Sequence, residues 1–235
     1  MAPTPHLLLG PAARGVNAYS TPGERGRARP RTLLIFLALA FGLFAFTLLD
    51  RPIWLAATAS DIERLKTRDW WQALRAVGYL PTWIVVALCF LLHDRARAAA
   101  APFLRAALIF LGAALGGLAA ELLKEVARRE RPGPQGIYTF DYFGMGRDGV
   151  GLGLASSHAS VAFGGCIMLG WLLPHLRWPL LLLATGCGWT RIRAGAHWTT
   201  DVYVAVVLSY GVCWLLWRFS SARSDLALLH PHSSR

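Results

Sequence analysis

Three short stretches of this 235-residue chain carry side chains that can hold an anion and move a proton. The first, KEVARRERP from Lys124 to Pro132, puts four basic side chains within eight residues. Such clustering invites an anion, and Lys124 and Arg131 are seven residues apart, about two helical turns, so a continuous helix would project both from one face. A basic run at a helix end also serves to touch lipid headgroups, and the run alone does not separate the two uses. The second stretch, LASSHAS, opens an apolar run with Ser156, Ser157 and His158. The first turn of a helix leaves its amide groups unpaired, which favours a phosphate there. The third, TRIRAGAHWTTD from Thr190 to Asp201, gathers Arg191, Arg193, His197 and Asp201. If the last two lie on one helix they share a face, and the carboxylate can hold one ring nitrogen while the other meets substrate. That is the base-and-orienter half of a nucleophilic triad, with histidine as the attacking group. In isolation the same pair also reads as a capping Asp beside an interfacial His.

The elements that must position these stretches are apolar runs at approximately 32–49, 74–92, 102–123, 158–174, 178–191 and 201–217. Lipid offers the backbone no hydrogen-bond partner, so a spanning segment is a helix of roughly 20 mostly apolar residues. The expected fold is therefore all-α, an integral membrane bundle of six helices, with the fifth the shortest. Between the first two runs, Leu55, Ile62, Leu65, Trp70 and Leu74 recur at roughly helical spacing among charged residues. This predicts an interfacial helix with its tryptophans in the headgroup layer, or a cap helix packed on the bundle. Six spans put both termini on one side, and Arg14, Arg25, Arg27, Arg29 and Arg31 before the first span make that side cytoplasmic. The loops 50–73, 124–157 and 192–200, with all three polar stretches, then face outward. Residues 1–31, rich in Pro, Gly and Arg, read as a disordered basic tail, 32–217 as the membrane domain and 218–235 as a cytoplasmic tail. The first span reads as a retained helix and not as a cleaved signal.

Composition supports a membrane protein: 55% of residues are hydrophobic and only 16% charged. A formal charge of +11 would suggest nucleic acid for a soluble chain, but here the cations sit between apolar spans and the expected partner is the bilayer. Cys89, Cys166, Cys187 and Cys213 lie in apolar runs without CxxC spacing and read as buried packing thiols.

Taken together, the three stretches resemble the type-2 phosphatidic acid phosphatase (PAP2) superfamily, whose pattern is K-x6-R-P, then P-S-G-H, then S-R-x5-H-x3-D. Lys124, Arg131 and Pro132 match the first motif, Ser156 and His158 the second, and Arg191, His197 and Asp201 the third. Two positions depart: Ser157 stands where the family has glycine, and Thr190 where it has serine. A serine there is strained if the position needs a positive φ. The resemblance implies that Lys124, Arg131, Arg191, Ser156 and the Ser157 amide hold the phosphoryl oxygens, the task metal ions perform elsewhere, so no metal or cofactor is expected. It further implies His197 as nucleophile, Asp201 as its orienter, and His158 as acid to the leaving group. The expected substrate is a lipid phosphate or pyrophosphate whose chains stay in the bilayer; undecaprenyl pyrophosphate, phosphatidylglycerophosphate, phosphatidic acid and lipid A phosphates all fit. The Gly- and aromatic-rich loop 133–154 is a candidate lid or an ordinary connection. A phosphotransferase passing the same phosphoryl group to a second acceptor, and a catalytically silent headgroup binder, remain as alternatives.

Overall fold

The structure is a computed structural model that describes residues 30–99, 101–133, 136–142 and 151–220. Among these it is helical, without strands: α1 (Pro30–Ala57), α2 (Ile62–Lys66), α3 (Asp69–Ala76), α4 (Leu80–Ala96), α5 (Pro102–Ala127), α6 (Ser157–Leu172), a 3-10 turn at Pro174–Leu176, α7 (Arg177–Arg193) and α8 (Thr199–Phe219). The chain divides into two units within α1, at Leu39 and Ala40. Of the first unit only the opening turns of α1 are described, and the second holds the other helices and the polar stretches. The expected N-terminal tail, apart from Pro30 and Arg31, lies outside the described residues, as does the C-terminal tail beyond Ser220.

Three helices, Thr32–Ala57, Pro102–Ala127 and Thr199–Phe219, are long and apolar enough to cross a membrane. They mark the protein as membrane-associated. Their exposed side chains, among them Leu122, Val126, Leu215 and Phe219, would be a liability in water and suit hydrocarbon. In lipid, helices associate through close packing rather than through expulsion of apolar surface, so small residues belong at the contacts. The core follows that rule. Gly112 and Gly116 of α5 face Gly164 and Ser160 of α6 so closely that a Cβ on Gly164 would lie 2.1 Å from the Gly112 carbonyl oxygen. From α8, Ser209 Oγ donates to the Ser160 carbonyl at 2.9 Å and Cys213 Sγ to the Gly164 carbonyl at 3.3 Å. Thus α6 is held between α5 and α8 by backbone proximity.

Four expectations are corrected. The run from 74 is not one helix: α3 and α4 meet at a 71° bend. Gly78 turns the chain there beside α6, where a Cβ would sit 2.8 Å from the His158 carbonyl oxygen, and Trp83 Nε1 donates to the Val77 carbonyl across the bend at 2.8 Å. The segment from Leu55 to Leu74 is likewise not one amphipathic helix but the end of α1, α2 and α3, and it is Trp71, not Trp70, that is buried. α5 ends at Ala127, so Lys124 and Arg131 do not share a helix face. Arg128 caps it in the left-handed region, its amide donating to the Lys124 carbonyl at 2.8 Å. Cys89 is exposed, while the other three cysteines are buried.

The α5–α6 contact gives a prediction. Gly164→Leu drives a side chain into the Gly112 backbone, which cannot yield as a flexible side chain would, and should lower stability in detergent by about 1–3 kcal/mol or more. Gly211→Leu on α8, with open space at its Cβ position, should be near neutral. Equal thermal melts for the two variants would contradict this packing.

Candidate active site

The early end of α5 releases the segment from which the site is built. After Arg128 the chain is extended: Arg129 bridges to Phe140 and Glu130 to Leu152. The Glu130 amide donates to the Thr139 carbonyl at 3.0 Å, the Arg131 amide to the Gly151 carbonyl at 3.1 Å, and the Gly153 amide to the Arg129 carbonyl at 2.7 Å. Residues 128–131 are thereby clamped between 139–141 and 151–153. The described parts of the loop 133–154 thus build the site's wall; its remainder, 134–135 and 143–150, lies outside the described residues.

His197 precedes α8 and Asp201 lies in its first turn, so they do not share a helix as the spacing suggested; the chain turn at Trp198 brings them together instead. His197 Nδ1 is 3.0 Å from the Gly153 carbonyl oxygen and 3.3 Å from Asp201 Oδ2. Both partners are acceptors, which fixes the proton on Nδ1 and leaves Nε2 as the basic nitrogen. Burial, and then the nearby charges of Arg191 and Arg131, hold the imidazole below the usual histidine range against the pull of Asp201. At neutral pH the ring is therefore neutral. Gly153 is tightly placed: a Cβ there would lie 3.2 Å from Asp201 Oδ2.

Asp201 is fully buried and has two further donors, the Trp198 amide at 2.9 Å and Arg129 Nη2, which meets Oδ1. Arg129 also lies 3.8 Å from Asp50 of α1, itself fully buried. Asp50 accepts from the Thr200 amide and Tyr138 hydroxyl, each at 2.7 Å, and from Thr200 Oγ1. Burial and the Asp50 carboxylate hold the Tyr138 phenol well above its ordinary range, so it donates, and its ring stacks on Trp198 at 4.6 Å. Asp50, Arg129, Tyr138 and Thr200 were not singled out from the sequence. One signal was present: a carboxylate at the edge of an apolar span needs a partner.

The cationic side is assembled from α5, α6 and α7. Lys124 Nζ contacts Ser157 Oγ and pairs with Glu121 at 2.9 Å, and Ser157 Oγ also donates to Glu121. Ser157 lies in the first turn of α6 without a positive φ, so serine at the family's glycine position costs no backbone strain. Ser156 caps that helix, fully buried. Its Oγ, His158 Nε2 and Arg191 Nε are buried without a hydrogen-bond partner among the described residues. The charges of Arg191 and Lys124 both reach His158, and Arg131 Nε donates to the Leu152 carbonyl at 3.3 Å. Each of the eight expected residues therefore converges on one end of α5, α6, α7 and α8.

A helical membrane-associated chain that gathers two histidines and several cations at one helix boundary is a protein built to handle a phosphate. It belongs to the PAP2 superfamily, whose family profile matches residues 105–225. No curated protein and no solved structure shows a significant match to the chain. Membership in that superfamily carries the broad activity of a phosphatase or phosphotransferase acting on phosphate substrates.

The buried network predicts a specific fragility. Arg129→Gln leaves Asp50 and Asp201 as two buried carboxylates without their shared cation, at a cost of about 3–5 kcal/mol. Adding Asp50→Asn should recover part of that loss, measurable as partial restoration of the thermal midpoint in detergent. An Arg129→Gln protein as stable as the unmodified chain would exclude this role.

Proposed function

We propose that the protein is a metal-independent membrane lipid phosphatase that hydrolyses a lipid phosphomonoester or pyrophosphate through a phosphohistidine on His197. The observation that carries this reading is the His197–Asp201 pair: Nδ1 is occupied by two acceptors, so Nε2 is the ring nitrogen left to attack phosphorus. Lys124, Arg131 and Arg191, with Ser156 and the Ser157 amide, surround the phosphoryl oxygens and offset the charge that spreads over them during in-line displacement. Asp201 stabilises the imidazolium that forms. His158 protonates the departing alkoxide and then, as base, activates the water that cleaves the phosphohistidine.

In this reading the domain is 32–217 and six helices cross the membrane, with α3 and α4 as one bent span and the short helices α6 and α7 shielded by their neighbours. The segment Ile62–Ala76, which carries α2 and α3, lies at the outer interface. Both termini are cytoplasmic, and the site faces the exterior of a bacterial inner membrane, where a headgroup reaches His197 while its chains remain in lipid.

Sealed spheroplasts offered a short-chain lipid phosphate from outside, with excess chelator, should release phosphate, and vanadate should block the release. His197→Ala should release none at equal expression. Release that needs added magnesium, release only after lysis, or turnover by His197→Ala would each overturn a named part of this function.

A further inference from the structure

A cavity of about 240 Å³ lies beside the catalytic pair, between the α2–α3 segment and the end of α7, lined by Lys66, Trp71, Arg75, Arg191, Ala194 and Ala196. Its position is fixed from both sides. The Ala59 amide donates to the Arg193 carbonyl at 3.0 Å and Arg193 Nη1 to the Ala57 carbonyl at 3.2 Å, which tie the end of α1 to the end of α7. Leu74 of α3 packs into the space that Gly186 leaves on α7.

The cavity's charge is not balanced from within. Arg75 and Arg191 are close enough for their charges to repel, and neither has a carboxylate within ion-pair distance among the described residues. Lys66 is already paired with Glu63 at 2.6 Å. Arg75 Nε, Arg191 Nε and the indole Nε1 of Trp71, a side chain only 1% exposed, are buried donors without an acceptor among the described residues. Two confined guanidinium groups and three unmatched donors cost free energy unless an anion with several acceptor oxygens enters. The cavity also adjoins the leaving-group side of the reaction. Arg75 Nη2 donates to the Tyr79 hydroxyl at 2.9 Å, the Tyr79 ring packs edge-on against His158 at 4.9 Å, and the charge of Arg75 reaches His158.

We propose that this cavity is a second anion subsite, which holds the leaving-side phosphate of a lipid diphosphate while the terminal phosphoryl group passes to His197. The inference rests on the phosphohistidine reading and assigns it a substrate class. His197 Nε2 bonds to the terminal phosphorus as the bond from that phosphorus to the bridging oxygen breaks. The electron pair leaves on the bridging oxygen, so the departing lipid monophosphate gains one negative charge, which Arg75 and the Trp71 indole meet. A phosphate leaves without needing a proton, unlike an alkoxide, so Arg75 takes over for a diphosphate the part that His158 plays for a monoester. Water then cleaves the phosphohistidine, releasing inorganic phosphate and restoring His197.

Calorimetric titration of the purified full chain in detergent with methylenediphosphonate and with inorganic phosphate tests binding apart from chemistry. The unmodified protein should bind the diphosphonate at least about tenfold more tightly, the scale of one charge-assisted contact. Arg75→Gln should erase that preference and Arg75→Lys should retain part of it. In turnover, the ratio of kcat/KM for a polyprenyl diphosphate over the corresponding monophosphate should fall about tenfold in Arg75→Gln. Hydrolysis of both lipids with a ratio that Arg75→Gln leaves unchanged would overturn the subsite alone. Arg75-dependent diphosphonate binding with no phosphate released from either lipid would keep the subsite and overturn the phosphatase reading.

Discussion

Two buried carboxylates share one buried guanidinium, and the rest of the site is arranged around that fact. Asp201 and Asp50 are both fully buried and meet at Arg129, which supplies the cation that neither could lack. The demand draws together parts of the chain that are far apart in sequence: α1 through Asp50, the extended segment after α5 through Arg129, the loop through Tyr138, and the start of α8 through Thr200 and Asp201. Hydrogen bonds from Thr200, Tyr138 and the Trp198 amide fill the remaining acceptor positions of the two carboxylates, while Arg129 Nε is buried without an acceptor among the described residues. Gly153 is carried in by the same clamp, and its carbonyl completes the hold on His197.

Beside this network the imidazole also meets the charges of Arg191 and Arg131. Arg191 and Arg131 both act on His197 in the sense that keeps it unprotonated, while Asp201 acts in the opposite sense. A neutral ring beside a positive field suits attack on an anionic phosphoryl group, because the field neutralises the substrate without protonating the nucleophile. Lys124 is engaged with Glu121 and Ser157. A phosphate drawn to it would compete with the exposed Glu121 carboxylate, which makes Glu121 a natural adjustable counter-ion in the proposed reaction.

The helices were legible in the sequence because lipid leaves the backbone one way to satisfy itself, so apolar length translates directly into helix. Residues of the three motifs were legible because their chemistry demands particular side chains, and the fold does gather Lys124, Arg131, Ser156, Ser157, His158, Arg191, His197 and Asp201. What periodicity could not give was where a helix stops without glycine or proline. Arg128 adopts the left-handed conformation that ends α5, and nothing in KEVARRERP announces it, so Arg129 looked like one of four equivalent cations. Trp70 and Trp71 are adjacent, and of the two only Trp71 is buried, on the helix whose Leu74 packs against Gly186 of α7. Asp50 follows the apolar run 32–49, and α1 continues past that run through Pro52 to Ala57 and carries Asp50 inside.

The central claim is that phosphorus is bonded transiently to His197, and trapping that species tests it most directly. The purified protein, mixed with a lipid phosphate and quenched within milliseconds into alkaline denaturant, should carry an acid-labile phosphoryl group. Peptide mass spectrometry at high pH should place it on His197, and it should be missing from His197→Ala. A phosphoryl group mapped to another residue, or continuing turnover with no phosphoenzyme formed at any quench time, would contradict the account.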